Sequence, residues 1–236
     1  MVRPEAFKAT DTFRLIPTKY SDGMSVLETL NLPGDVISEL SELDAATNER
    51  VSAERGGCAW ITRAELVAGC PEASIINAAF CHPGPFGSRF NDARRGAWYA
   101  GLEFETSLEE VAYHKRRLLR DARFDGTGEF DYQEFNADFN GVFHRLKKSG
   151  RACLAPEPVP ECYRAGQQLA VELLNEGSAG IIYPSVRKRK GTCIVCFRPA
   201  LVYNVRRGSE YRISIATHTD KVAIQQIAMR TTFRST

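Results

Sequence analysis

The order in which strand-like and helix-like patterns follow one another limits most strongly the folds open to this sequence. Apolar runs bounded by turn residues predict strands at 13–17, 97–101, 179–183, 192–197 and 212–216. Helical spacing of apolar residues predicts helices at 106–120 and 163–176, the second ending before Gly177. The elements do not alternate regularly, as they would in a parallel α/β sheet. The sequence therefore predicts an α+β fold in one domain, since no clear linker divides the chain.

Three further segments carry local predictions. The apolar run 74–80 is predicted to be a buried strand, and the stretch 82–91, rich in turn formers, is predicted to contain no regular element. Apolar residues at helical spacing after Asp35, a good N-cap, predict a helix that the glycine pair at 56–57 ends.

The helix at 106–120 begins with a sequence typical of a capping box. Thr106 would be the N-cap, and the Glu109 side chain would reach back to its backbone. The residues expected to face the core are Leu108, Val111, Ala112, Leu118 and Leu119.

Composition excludes several classes of protein. The 31 Lys+Arg nearly balance the 29 Asp+Glu, which argues against direct nucleic-acid binding or a protein that coats an anionic membrane. There is no apolar run of membrane-spanning length and no secretory signal pattern at the N-terminus. The seven cysteines are odd in number and lie in apolar surroundings, as expected for reduced thiols. A cytoplasmic location is therefore expected.

Two motifs resemble metal sites but lack necessary features. Residues 125–135 resemble part of a calcium-binding EF-hand loop; with Glu134 as its closing ligand, the first ligand position would be Arg123, a cation. Cys193 and Cys196 have the spacing of half a zinc site, but no second pair lies nearby, and an odd separation places them on opposite faces of a strand. We expect two buried thiols and no metal. The basic run 187–190 is expected to be a solvated loop, with a phosphate clamp as the alternative.

Several sequence blocks, taken in order, resemble the RES domain family, which is named for an arginine, a glutamate and a serine. The resemblance runs from about residue 75 to residue 203. The blocks are 76–80 (INAAF), 87–91 (GSRFN), 96–100 (GAWYA), 106–114 (TSLEEVAYH), 138–144 (DFNGVFH), 168–170 (QLA) and 180–187 (GIIYPSVR), followed by Gly191 and 197–199 (FRP).

The resemblance implies a single RES domain over residues 1–236, with a core at about 75–204 and an N-terminal strand near 11–17. An enlarged N-terminal insertion at about 30–70 would form a cap or an antitoxin-facing surface. The family fold is similar to that of ADP-ribosyltransferase toxins, a split α+β core that holds NAD. Members are usually toxins of bacterial toxin–antitoxin systems, with an Xre-type helix-turn-helix antitoxin as partner. They deplete NAD by cleaving its nicotinamide–ribose bond, with inorganic phosphate or water as the acceptor, so NAD is a substrate and no cofactor is implied.

The named residues of the family fall on Arg89, Glu110 and Ser185 in this sequence. Tyr99 matches the usual fourth site residue, and Arg14 is the best match to an earlier arginine that commonly joins the site. Taken singly, each residue also fits a structural role, such as a surface ion pair or a core aromatic. Their order and spacing favour a shared site.

The expected chemistry suits these residue types. An arginine fork binds two oxygens of a pyrophosphate, a role that fits Arg89 and Arg14. A carboxylate at Glu110 would stabilise the oxocarbenium-like ribose that forms as nicotinamide leaves. Tyr99 would flank the nicotinamide. Ser185 would bind the carboxamide or position the acceptor, since no His–Asp pair is placed to make it a nucleophile.

Two neighbours of Glu110 are alternatives for parts of this chemistry. Glu109 competes with Glu110, but the predicted capping box already engages it. His114 lies one helical turn from Glu110 and could contact it; a structural hydrogen bond is the simpler interpretation, and a catalytic base is the other.

Three functions stay open at this point. The first is an enzyme that cleaves NAD with phosphate or water. The second is an ADP-ribosyltransferase that modifies a protein. The third is an inactive RES-like module that only binds a partner, against which the complete set of site residues argues.

Overall fold

All strands in the described part of the chain belong to one sheet. The computed structural model describes residues 2–21, 60–147, 152–219 and 221–227. The strands are β1 (Arg3–Pro17), β2 (Trp98–Gly101), β3 (Thr127–Arg145), β4 (Gly180–Pro184), β5 (Thr192–Cys196), β6 (Tyr203–Ala216) and β7 (Lys221–Ile227). The helices are α1 (Ala73–Cys81), α2 (Phe104–Asp121) and α3 (Arg164–Asn175), and 3-10 turns lie at Thr18–Tyr20, Arg63–Glu65, Glu161–Tyr163 and Pro199–Leu201. The predicted α+β class in a single domain is confirmed.

The sheet divides along β3. Its strand order is β1-β2-β5-β4-β3-β6-β7, and β1 also pairs with β3, so five strands close into a ring. β3 is long enough to pair with β6 over residues 127–138 and with β4 at residues 144–145, the latter in parallel. One branch therefore carries β6 and β7, and the other carries β4, β5 and β2.

Each helix covers its own apolar cluster. Helix α1 packs on the cluster that includes Phe80 and Trp98. Helix α3 packs on the cluster around Ile181. Helix α2 packs on the cluster around Ile213. Cys193 and Cys196 of β5 are both buried, and they belong to two different clusters, which confirms that they point to opposite faces.

Some strands extend well beyond the predicted segments. β1 ends at Pro17 as predicted but begins at Arg3, because its first half pairs with the second half of β3. β6 begins nine residues before the predicted segment 212–216, and β7 was not predicted. β3 was not predicted either, and it contains most of the segment that resembles an EF-hand loop. Gln133, Glu134 and Asp138 are polar but buried in the sheet. Because of these residues the segment lacks the apolar pattern from which a strand is predicted.

The predicted strand at 74–80 is wrong, since these residues form helix α1. A short apolar run does not distinguish a buried strand from a buried helix. The isoleucines at 75 and 76 favour a strand, but the alanines of this segment favour a helix. The side chain of Asn77 also bonds both backbone groups of Val67, at 3.0 and 2.9 Å, and so fixes the helix to the preceding loop.

The predicted capping box of α2 is also wrong. The helix begins at Phe104, with Glu103 as its N-cap residue, and Thr106 lies inside the first turn. The Thr106 hydroxyl donates to Glu103 Oε2 at 2.6 Å. The Glu109 side chain forms an ion pair with Arg116 instead, with 3.7 Å between Oε2 and Nη1. Ala112 and Leu119 are buried and Leu108 and Val111 are partly buried, as predicted. Leu118 is 52% exposed, so its predicted core position is wrong.

The remaining predictions have mixed outcomes. The helix predicted after Asp35, and residues 30–59 of the expected insertion, lie outside the described residues. Residues 60–70 contain the 3-10 turn at Arg63–Glu65. Helix α3 lies within the predicted 163–176, and residues 82–91 contain no helix or strand beyond one isolated bridge, as predicted. No helix in the described ranges has the length and apolarity needed to cross a membrane.

Candidate functional site

A cavity of about 250 Å³ brings together residues that are far apart in the sequence. Arg14 of β1, Arg89 of the turn 86–91, Tyr99 of β2 and Glu110 of α2 all line it. Ser185, which follows β4, is not among the lining residues, but its hydroxyl contacts Glu110. Among the described residues that line the cavity, Glu110 is the one carboxylate.

Arg14 is a partly buried cation that lines this cavity. Its guanidinium lies over the Trp98 ring, 4.6 Å from the ring centre, and its Nη1 donates to the Tyr99 carbonyl at 3.3 Å. Its Nε is buried without a hydrogen-bond partner in the described part of the chain. Burial lowers the pKa of Arg14 to about 10, so the group stays charged at neutral pH.

Arg89 is held by backbone carbonyls and an aromatic ring. Its Nη1 donates to the carbonyls of Cys153 and Ala155 at 3.0 and 2.9 Å, and its guanidinium lies 5.3 Å from the ring centre of Tyr163. In the described ranges no carboxylate forms an ion pair with either Arg14 or Arg89. Their charges are therefore available to an anion that enters the cavity.

A third arginine of the same kind, Arg187, lines the cavity. Its guanidinium stacks on Tyr113 at 3.3 Å, and its Nη2 donates to the Pro156 carbonyl at 2.8 Å. Residues 153–160, which we call the strap, thus supply carbonyls to both Arg89 and Arg187. The strap is also tied to α2, because the Tyr113 hydroxyl donates to Glu157 at 3.0 Å.

The Tyr99 hydroxyl fixes the turn that carries Arg89. It accepts a hydrogen bond from the Phe90 backbone N–H at 2.9 Å and donates to Asn91 Oδ1 at 2.9 Å. Burial raises the pKa of Tyr99 well above its usual value, so the hydroxyl stays protonated. The ring borders the cavity while the hydroxyl holds the turn.

Helix α2 presents one face to the cavity. Ser107, Glu110, Val111 and His114 follow the i, i+3, i+4, i+7 spacing of a single helix face, and all four line the cavity. The Ser107 hydroxyl donates to the Phe13 carbonyl at 2.5 Å and accepts from the Gly101 N–H at 2.9 Å. These two bonds join α2 to β1 and β2. They fix the position of this helix face relative to the strands that carry Arg14 and Tyr99.

Ser185 orients the carboxylate of Glu110. Its hydroxyl donates to Glu110 Oε1 at 2.7 Å and accepts from the backbone N–H groups of Arg187 and Lys188 at 3.1 and 2.9 Å. One donor and two acceptor positions are all that a hydroxyl offers, so this one is saturated. The Cys193 thiol lies 3.8 Å from the same oxygen.

His114 lines the cavity as a neutral base. Desolvation at the cavity and the charges of Arg187 and Arg117 lower its pKa to about 4, although the residue as a whole is exposed. No hydrogen bond joins it to Glu110 or to any other described residue, so the expected structural bond is not formed. With its pKa lowered in this way, His114 is neutral at pH 7 and is a weak base.

Several residues of the cavity were missed by sequence reasoning. Ser107, Tyr163, Tyr183 and Cys193 line it. The helical spacing from Glu110 could have identified Ser107, whereas the other three reach the cavity only through the tertiary fold. No group of three potential metal ligands occurs among the described residues.

Comparison with known proteins identifies the family to which this chain belongs. A search of curated proteins found no match. A chain of the crystal structure of the M. tuberculosis MbcT–MbcA toxin–antitoxin complex is similar with a TM-score of 0.42 and 9% sequence identity, over 91% of this chain and 88% of that one. The RES domain family matches residues 63–216, which is more than half of the sequence. The chain therefore belongs to the RES domain family.

Proposed function

We propose that this chain is the toxin of a bacterial toxin–antitoxin system and that it depletes NAD by cleaving the nicotinamide–ribose bond. Membership of the RES domain family supports this reaction class. The observation that carries the proposal is that Arg14 and Arg89, cations without acidic partners in the described ranges, share one cavity with the carboxylate of Glu110.

The arginines bind the pyrophosphate in this proposal. Two guanidinium groups that are already oriented by carbonyls and aromatic rings lose little freedom when an anion binds. Arg14 has an unsatisfied Nε, and Arg89 uses only Nη1 for its bonds to the strap, so both retain N–H donors for phosphate oxygens. Arg187 is a third donor at the same cavity.

The bond that breaks joins ribose C1′ to the nicotinamide nitrogen. Its electron pair moves to the nicotinamide ring, which leaves as a neutral molecule without needing a proton. The ribose becomes oxocarbenium-like, and the Glu110 carboxylate stabilises its positive charge. With water as the acceptor, the oxygen bonds to C1′ and releases a proton, which the neutral His114 imidazole can accept.

Tyr99 and Ser185 position the groups that take part in this step. The Tyr99 ring would flank the nicotinamide, while its hydroxyl keeps Arg89 in place. Ser185 acts through Glu110, because its saturated hydroxyl has no position left for the carboxamide or the acceptor. This assignment makes Ser185 a positioning residue. The proposed partner is an Xre-type helix-turn-helix antitoxin.

Product analysis tests this function. The purified protein is incubated with NAD labelled in the adenosine part, with and without inorganic phosphate. Free ADP-ribose, or ADP-ribose phosphate when phosphate is present, is the expected product. Label transferred to protein would instead support ADP-ribosylation of a target. Intact NAD together with no measurable NAD binding would overturn the proposal in favour of a partner-binding module.

A further inference from the structure

The turn at residues 86–91, which carries Arg89, is bound by the side-chain amide of Gln167 as well as by Tyr99. Gln167 of α3 places its side-chain nitrogen at 3.0 Å from the Phe86 carbonyl and at 3.1 Å from the carbonyls of Ser88 and Asn91. Three carbonyls of one turn thus converge on one nitrogen that carries two hydrogens.

Helix α3 approaches this turn unusually closely. A Cβ added at Gly166 would lie 2.2 Å from the Arg89 carbonyl oxygen, so the glycine is needed for the contact. The turn itself requires Gly87, whose φ of +65° is in the left-handed region and whose added Cβ would lie 2.1 Å from the Asn91 carbonyl oxygen. The backbone at Arg89 is therefore fixed between α3 and the sheet.

None of these contacts acts on the guanidinium of Arg89 directly. They place its backbone, and the side chain then reaches the strap carbonyls and the cavity. We propose that Gln167 is a positioning residue that sets where the Arg89 guanidinium meets the pyrophosphate. This inference rests on the proposed function and deepens it, because it names the contact that makes Arg89 an effective ligand.

The chain offers a matched control beside Gln167. Gln168 is the next residue of α3, has the same side chain and is exposed. Gln167→Ala removes the amide, and Gln167→Glu keeps the shape while replacing both N–H donors with an acceptor that three carbonyls repel. Gln168→Ala changes the helix propensity by the same amount without touching the turn.

The experiment measures binding of ADP-ribose, which contains the pyrophosphate, by titration calorimetry, together with KM and kcat for NAD. We expect both Gln167 variants to raise the Kd for ADP-ribose and the KM roughly tenfold or more, as misplacement of a binding group does. The kcat should change much less, and Gln168→Ala should match the wild type. Cleavage of nicotinamide riboside, which lacks the pyrophosphate, should be equal in all variants.

Four outcomes would overturn the inference. Wild-type affinity in both Gln167 variants would show that the turn holds Arg89 without the amide. Equal losses in the Gln167 and Gln168 variants, or a parallel loss with nicotinamide riboside, would indicate general damage to the fold. A wild-type protein that binds neither NAD nor ADP-ribose would overturn the proposed function, and this inference with it.

Discussion

Two sets of arginines in this molecule have opposite surroundings. The arginines of the cavity lie on aromatic rings and donate to backbone carbonyls: Arg14, Arg89 and Arg187. The arginines of the sheet surface form ion pairs with carboxylates: Arg145 with Glu5 at 2.7 Å, Arg206 with Asp138 at 2.8 Å and Arg212 with Asp131 at 2.8 Å.

This difference in surroundings distinguishes arginines that stabilise the fold from arginines that can bind a ligand. A carboxylate neutralises the guanidinium it pairs with and occupies its donors, as Arg206 and Asp138 illustrate. Although burial opposes it, hydrogen bonds from Arg206 and Asn204 lower the pKa of Asp138 to about 2. An aromatic face orients the guanidinium but leaves its charge and its outer N–H groups for a ligand. The cavity therefore offers guanidinium groups that form no ion pair with any carboxylate of the described residues.

The largest effect is expected from removal of Glu110, the one carboxylate among the described residues that line the cavity. Glu110→Gln keeps the shape and the contact with Ser185 but loses the charge that stabilises the ribose cation. We expect kcat for NAD cleavage to fall by about a thousandfold, the upper range for loss of one preorganised group. The Tm should change little.

Glu109→Gln is the control for that variant, because Glu109 faces Arg116 and does not line the cavity. It should keep full activity. An active Glu110→Gln protein would contradict the assignment of the acid, and an inactive Glu109→Gln protein would move the assignment to its neighbour.

A second test exchanges one arginine from each set for lysine. Arg89→Lys keeps the charge but loses the fork, and we expect kcat/KM to fall roughly ten- to a hundredfold, from about 1.5–3 kcal/mol for hydrogen bonds to a charged group. Arg212→Lys at the sheet surface should leave kcat/KM unchanged. Steady-state kinetics with NAD measures both. If the two variants behaved alike, the distinction between the two sets of arginines would have no functional meaning.

The sequence predicted the members of the cavity better than the scaffold that holds them. Arg89, Tyr99 and Glu110 could be selected because their order along the chain matches a family pattern. Their meeting point depends on the pairing of β1 with β3 and on the ring of five strands, which local patterns do not encode. Arg14 shows this most clearly, since it lies outside the residues 63–216 that match the family.

Two errors had a common cause, which is that local sequence was interpreted without its tertiary partner. β3 has a polar sequence because it contains Gln133, Glu134 and Asp138. All three are buried, and Gln133 and Asp138 bond to Gly208 and Arg206 of β6. The threonine at 106 has the residue type of an N-cap, yet Glu103 is the N-cap residue. The Glu103 carboxylate accepts hydrogen bonds from the Thr106 hydroxyl and from the Thr192 N–H of β5. Such contacts cross between elements and are invisible to short windows.

The smallest expected effect concerns the pH dependence of stability, where the cavity again differs from the sheet surface. Burial beside Arg187 and Arg117 lowers the pKa of His114 to about 4 in the folded protein, below the usual value of 6.5. The unfolded chain therefore binds the proton more tightly, so this group's contribution is fully present above pH 6.5 and is lost as the pH falls towards 4. His114→Gln should reduce the decrease in Tm over this interval, measured by thermal unfolding. His218→Gln, at a side chain that is 74% exposed, should not. An identical decrease in all three proteins would show that the cavity does not hold His114 neutral.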